Sequence, residues 1–169
     1  MWDRLTEQFS RYPAQGRVAR LLLQHGFRVA DGGVWAGPVA LADTALARAA
    51  GVDRRVVKAT VETIEATEGL HTVFSRLIPT CHLREAASGL GWGVLEIVPM
   101  DAGQPGILAG VASIVARQGI SVRQAIVEDP ELSEEPRLYI ITEDAIPADL
   151  LPDIQRVPGV KEVVLGGQG

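Results

Sequence analysis

The sequence has few of the residues that build disulfides, metal sites and membrane spans. Among its 169 residues are one cysteine, Cys81, and three histidines. A single cysteine forms no internal disulfide, which fits the reducing cytoplasm where we expect the protein to act. No run approaches the roughly 20 apolar residues that cross a bilayer, and the acidic residues in the N-terminal MWDRLTEQFSRYP argue against a signal peptide. We therefore expect no membrane partner.

The sequence also lacks the groupings that catalysis needs. Ser113 lies in an apolar stretch without the second glycine of a nucleophile elbow. Cys81 and His82 have no further cysteine near them to complete a zinc site. The glycine-rich segment 89–93 lacks dinucleotide-binding spacing, and the acidic segment 128–136 lacks the spacing of a calcium loop and predicts a solvated hairpin. We therefore predict no enzyme activity, no metal and no cofactor.

Charge is divided unevenly along the chain. Residues 1–90 hold 11 Lys and Arg against 9 Asp and Glu, a net charge of +2, whereas residues 91–169 hold 5 against 12, a net charge of -7. This division indicates two units with different roles, which we place at 1–90 and 93–169. A net charge of +2 does not by itself predict nucleic-acid binding.

Helical spacing dominates the first ninety residues. Trp2, Leu5 and Phe9 predict one helix, and a second is predicted to stop at Gly26. The turn-rich segment 31–41 has room for a short extended piece. We therefore predict a helical N-terminal domain.

Segment 41–64, LADTALARAAGVDRRVVKATVETI, has the pattern of a helix-turn-helix. Gly51 supplies a tight turn, because a left-handed backbone costs glycine little, and Asp53 is placed to cap the following helix. The apolar positions of the two predicted helices are Leu46, Ala47, Ala50, Val57, Val61 and Ile64.

This segment resembles the DNA-binding helix-turn-helix, in which a small residue such as Ala47 stands four positions before the turn glycine, here Gly51. The resemblance implies that the second helix enters the major groove. Arg54, Arg55 and Lys58 would then face phosphates or base edges. DNA is therefore a candidate partner.

The alternative for the same segment is a helix pair that serves packing or dimerisation. The three basic residues would then only be solvated. Glu62, Glu65 and Glu68, which the sequence places on the same helix, would repel phosphates if they faced the same way.

From Gly93 onward, strands alternate with helices. Alternating apolar residues predict four strands, and helical spacing predicts one helix after the first strand and one before the last. Pro152 indicates that this second helix begins near Leu151, because proline is tolerated in a first turn. The order is βαββαβ, the ferredoxin-like motif, and the fold class of the whole chain is α+β. The predicted strands lie in segments 93–100, 121–129, 137–144 and 160–165.

Three short motifs in this half resemble those of the ACT domain, the amino-acid-sensing module of metabolic enzymes and regulators. They are QPGIL at 104–108, ARQGISV at 116–122 and VPGVKEV at 157–163. The resemblance covers residues 93–166. The whole chain resembles a group of predicted regulators of amino-acid metabolism that join an N-terminal helical region to a C-terminal ACT domain.

The resemblance implies an amino acid or similar small ligand, held between the QPG loop and a neighbouring ACT unit of a homodimer whose sheets pair edge to edge. Pro105 suits the first turn of a helix, and Gly106 lets a ligand approach the backbone. The exposed N–H groups at the helix start favour a carboxylate. The candidate ligand-binding residues are Asp101, Gly103, Gln104, Pro105, Gly106, Ile107 and Leu108.

One position departs from the ACT pattern. Many ACT loops carry Asp or Asn two residues before the proline, where this chain has Gly103. Asp101, displaced by two residues, is the candidate for contacting a ligand's ammonium group.

The sequence thus predicts a regulator of amino-acid metabolism that senses a small molecule through its ACT domain and acts through its helix-turn-helix. Two alternatives stay open. One is a ligand-responsive regulator that binds a protein rather than DNA, and the other is a dimerisation module without a ligand.

Overall fold

The computed structural model describes residues 7–166, which divide into two compact units between Cys81 and His82. Of the residues that predict the first helix, Trp2 and Leu5 lie outside the described residues. Segment 82–90 belongs to the second unit, whereas the sequence placed it with the first domain. The sequence pattern changes at Gly93, where the first predicted strand of the second domain begins. In the structure, however, the residues from His82 onward already belong to the second unit, so the domain boundary lies before them.

The first unit is not purely helical, because three short antiparallel strands precede the helix pair. Each strand has only three or four residues, too few to show a clear alternation in the sequence. Asp31 and Gly32, with φ of 54° and 69°, form the two-residue turn of the first hairpin, in which both positions need a positive φ. The elements are α1 (Pro13–His25), β1 (Arg28–Ala30), β2 (Gly33–Ala36), β3 (Val39–Leu41), α2 (Asp43–Ala50), α3 (Arg54–Ala66) and α4 (Glu68–Phe74).

Helices and strands of this unit share one hydrophobic core. The helices are amphipathic, and each buries its apolar face in this core and exposes its other face. Burying these side chains is the main source of stability for the unit. Its most deeply buried members are Val18, Leu22, Val29, Val34, Val57, Ile64 and Phe74.

The second unit contains a four-stranded antiparallel sheet, in which neighbouring strands follow the order Val122–Val127, Leu138–Thr142, Gly93–Pro99 and Val160–Gly166. From Gly93 onward the elements follow the predicted βαββαβ order, and the α+β class is confirmed. The final helix begins at Leu151, as Pro152 indicated. The elements are α5 (Arg84–Ala87), a 3-10 turn (Ser88–Leu90), β4 (Gly93–Pro99), α6 (Ile107–Arg117), β5 (Val122–Val127), β6 (Leu138–Thr142), a 3-10 turn (Ala148–Leu150), α7 (Leu151–Gln155) and β7 (Val160–Gly166).

Both faces of this sheet are covered at its centre. Leu95 and Ile97 of β4 belong to a core that also contains buried residues of α6 and α7. Successive strand residues point to opposite faces. Val94 accordingly joins a separate small cluster, with Tyr139 and Ala87 of α5. Helix α5, which precedes β4, therefore covers the sheet face that α6 and α7 leave open.

Candidate functional sites

The turn between α2 and α3 has the local geometry that the sequence predicted. Gly51 adopts φ 63° and ψ 42°, in the left-handed region. The N–H of Val52 donates to the carbonyl of Ala47 at 2.9 Å, closing the end of α2 as in a Schellman motif. The Asp53 carboxylate accepts a hydrogen bond from the N–H of Arg55 at 2.8 Å and caps α3. The start of α3 is thus fixed by its own sequence.

Arg17 of α1 holds this turn from outside. Its guanidinium donates to the carbonyl oxygens of Ala50 at 3.3 Å and of Gly51 at 3.4 Å. Carbonyl groups at the end of a helix have no partner within the helix, so Arg17 supplies one. The sequence did not single out Arg17, because it lies more than thirty residues before the turn.

Arg54, Arg55 and Lys58 are all exposed on the first two turns of α3. Residues three and four apart are neighbours on a helix surface, so the three cations form one patch. None of them forms a salt bridge with any other residue in the stretch 7–166. The positive end of the α3 dipole lies beneath the same patch. This surface, which we call the α3 basic patch, can attract an anion.

The acidic residues near the patch have different environments. Glu62 is exposed on α3. Glu65 accepts a hydrogen bond at its Oε1 from the N–H of Gly32 in the β1–β2 turn, at 2.8 Å. Glu68 lies on α4 and not on α3 as the sequence suggested, because the helix breaks at Thr67 with φ -106° and ψ 106°. Glu62 is therefore the acidic side chain of α3 that remains exposed to a ligand of the patch.

In the second unit, residues 104–107 form a turn at the start of α6. Gly106 has φ 96° and ψ -13° and occupies the N-cap position of the helix. Proline followed by a glycine near (+80°, 0°) is the pattern of a type II turn. Pro105 therefore precedes the helix, whereas the sequence predicts that it lies in the first turn.

A cavity of about 110 Å³ opens beside this turn. It lies where the end of β4, the start of α6 and the β5–β6 connection meet. Four of the candidate ligand-binding residues line it, namely Gln104, Gly106, Ile107 and Leu108. The remaining lining residues are Pro99, Ala102, Val127, Glu128, Pro136, Arg137 and Leu138.

The other three candidates lie outside this lining. One carboxylate oxygen of Asp101 accepts a hydrogen bond from the N–H of Gly103 at 2.8 Å, and the Asp101 carbonyl accepts from the N–H of Gln104 at 3.1 Å. Asp101 and Gly103 thus shape the loop, and Pro105 sets its turn. Contact between Asp101 and a ligand's ammonium group stays a prediction.

The β5–β6 connection contributes to the cavity in a way that the sequence does not predict. Glu128 is only partly exposed and lines the cavity, whereas the sequence predicts a solvated hairpin over 128–136. Its Oε2 accepts hydrogen bonds from the N–H of Arg137 at 3.1 Å and from Ser133 Oγ at 3.4 Å. A signal was available, since in the βαββαβ order β6 pairs antiparallel with β4 and brings its first residues beside the end of β4.

A buried carboxylate fixes Arg137 on the opposite face of the sheet. The Glu96 side chain is 8% exposed and forms ion pairs with Arg137 and, at 3.0 Å, with Arg84 of α5. The Arg84 guanidinium also lies 4.8 Å from the centre of the Tyr139 ring and donates to its hydroxyl at 3.2 Å. These contacts attach α5 to the sheet and hold Arg137, the residue directly before β6.

Residues 7–166 contain no group of three or more His, Cys, Asp or Glu placed to hold a metal ion. No helix in the same stretch is long and apolar enough to cross a membrane.

No family model matches the chain, and no curated protein matches it. Two solved structures are similar over most of their length. A point mutant of Rv3291c is 19% identical, with a TM-score of 0.28 over 90% of this chain and 88% of that one. The Mycobacterium tuberculosis leucine response regulatory protein (LrpA) is 18% identical, with a TM-score of 0.28 over 90% of this chain and 89% of that one. At these values the likeness assigns neither a fold nor a function to this chain.

Proposed function

We propose that this protein is a regulator of amino-acid metabolism. Its second unit is an ACT domain that binds a small amino acid, and its α2–α3 pair is a helix-turn-helix that binds DNA. The observation that carries the proposal is the cavity beside Gly106, in which the start of a helix meets an apolar lining and one carboxylate.

The chemistry of the cavity suits a zwitterion. The N–H groups of Ile107 and Leu108 lie at the start of α6, where no carbonyl within the helix can accept from them. A ligand carboxylate would accept from such groups and would also be favoured by the helix dipole. Glu128 provides a negative charge for the ammonium group, and the aliphatic lining receives the side chain.

The cavity adjoins an open edge of the sheet, where a second copy would complete it. β5 is an outer strand of the four-stranded sheet, with β6 as its neighbour. Val122 is 40% exposed and Val127 is 57% exposed on this edge. Such an apolar edge favours pairing with another strand. Since Val127 also lines the cavity, a homodimer paired through β5 would bring its ligand to the interface.

The α3 basic patch is the proposed DNA contact. It is exposed and has no salt-bridge partner within residues 7–166, so its charge is available for phosphates. Binding of an amino acid would favour one arrangement of the dimer and thereby the presentation of its two α3 helices. The distance between the helices would set the spacing of the DNA half-sites.

A thermal-shift screen of the full chain against the twenty amino acids tests the sensor. A ligand at about 100 times its Kd stabilises the native state by roughly 2.7 kcal/mol, and the melting temperature should rise by about 5–10 °C. Gly106→Val should abolish the shift. Gly119→Val is the matched control, because Gly119 also has a positive φ, of 72°, and open space around it, but lies at the other end of α6. No shift with any amino acid at millimolar concentration would contradict the sensor.

A further inference from the structure

The VPGV motif at 157–160 has a contact that the sequence did not reveal. Gly159 adopts φ 92°, and its carbonyl accepts a hydrogen bond from the N–H of Met100 at 2.8 Å. A Cβ placed on Gly159 would lie 2.6 Å from both Cδ and Oε1 of Gln104, and 2.9 Å from its Nε2. The carboxamide of Gln104 therefore lies directly against the backbone of Gly159, in space that any side chain would occupy.

This carboxamide is the neutral polar side-chain group of the cavity lining. It offers one acceptor and two donors, and it has no hydrogen-bond partner among residues 7–166. A polar group in a mainly apolar pocket fixes the orientation of a ligand. Gln104 can do so only where Gly159 leaves room for it.

We propose that Gly159 is a positioning residue that holds the Gln104 carboxamide at the cavity, and that the cavity selects aliphatic over acidic amino acids. This inference rests on the proposed sensor function. Gln104 bonds the polar end of the ligand, and Gly159 acts only through Gln104.

The lining of the cavity defines the ligand class. Aliphatic side chains such as Ile107, Val127 and Leu138 line much of it. An acidic side chain would be repelled by Glu128.

The test measures binding of L-valine to the full chain by calorimetry, with L-aspartate as the competitor of the wrong class. Gly159→Ala should weaken L-valine binding at least tenfold. Gly119→Ala is the matched control, since it also places alanine at a positive φ but meets no atom within 4 Å, and it should change binding less than twofold. Gln104→Ala should weaken binding as much as Gly159→Ala, and the double variant should bind no more weakly than either.

Two binding results would overturn the inference. If L-aspartate binds as tightly as L-valine, the ligand class is wrong. If the losses of Gln104→Ala and Gly159→Ala add in the double variant, Gly159 does not act through Gln104.

A second readout separates this inference from the sensor function. In 1H–15N NMR spectra recorded without ligand, Gly159→Ala should shift the side-chain amide signals of Gln104, because the added Cβ displaces the flexible carboxamide, whereas Gly119→Ala should leave these signals unchanged. If no amino acid binds the wild type, the sensor function and the ligand class are both wrong, and this shift alone decides the positioning role. Unchanged Gln104 signals in Gly159→Ala would overturn it.

Discussion

The two candidate sites use charge in opposite ways. On the α3 basic patch, Arg54, Arg55 and Lys58 are exposed and form no salt bridge within residues 7–166. In the second unit, Arg84 and Arg137 both contact the buried Glu96. Charges without partners in the fold are available to a ligand, whereas charges paired with a buried carboxylate maintain the fold. The comparison therefore separates exposed cations, which no other described residue pairs, from cations that hold the second unit together.

The largest expected effect comes from removing both arginines that contact Glu96. Arg84→Ala together with Arg137→Ala leaves the carboxylate buried without a cation, which costs on the order of 3 kcal/mol of unfolding free energy. Urea denaturation, monitored by circular dichroism, measures the loss. Because the arginines are themselves partly exposed, the carboxylate and not the arginines is the source of the cost.

Matched variants on the other site sharpen this result. Arg54→Ala together with Arg55→Ala also removes two positive charges, but should change the unfolding free energy by less than about 0.5 kcal/mol. Replacing Glu96 by leucine in the Arg84→Ala/Arg137→Ala background should restore part of the stability, since no buried charge then remains. Equal losses for the two arginine pairs would show that the distinction between the sites is wrong.

The second expected effect is on DNA affinity. Replacing Arg54, Arg55 and Lys58 together by alanine should weaken binding to a mixed-sequence duplex more than about tenfold at low salt. The slope of log K against log salt should become shallower by about 2.7, because three phosphate contacts are lost. Fluorescence anisotropy at several salt concentrations measures both quantities.

The control for this variant carries the same change in net charge. Arg11, Arg20 and Arg76 are exposed in the same unit but lie on other segments, and their joint replacement by alanine should leave most of the salt dependence in place. If both triple variants lose the same affinity, attraction by overall charge explains the binding, and α3 is not the contact. If the wild type does not bind DNA at all, the helix-turn-helix proposal fails while the sensor stands.

The same comparison explains what the sequence could predict. The geometry of the α2–α3 pair is set locally, because the hydrogen bonds around Gly51 and Asp53 join residues no more than five positions apart. Its pattern can therefore be recognised within one segment of the sequence. The cavity is assembled from segments near 99–108, 127–128 and 136–138. Only the first of these contains a recognisable motif, so Glu128 and Arg137 were missed.

Short elements, and residues whose role depends on a tertiary contact, could not be predicted from the sequence either. The strands β1 to β3 are too short for an alternating pattern to stand out from the surrounding turns. The position of the Gln104 carboxamide depends on Gly159, which lies 55 residues further along the chain but next to Gln104 in the fold. The sequence showed that Gly159 belongs to a turn, but only the structure shows which side chain its missing Cβ accommodates.

The smallest expected effect tests how the acidic residues of α3 are arranged. Glu62→Gln should raise DNA affinity by about two- to threefold, because Glu62 is exposed one turn from Lys58 and repels phosphates. Glu65→Gln removes an equal charge but should leave affinity unchanged, since Glu65 is bound to the β1–β2 turn through Gly32. The glutamine retains an oxygen that can accept the same hydrogen bond, so the turn is preserved. An equal gain from both variants would mean that only the net charge of the unit matters, and the orientation of α3 toward DNA would have to be abandoned.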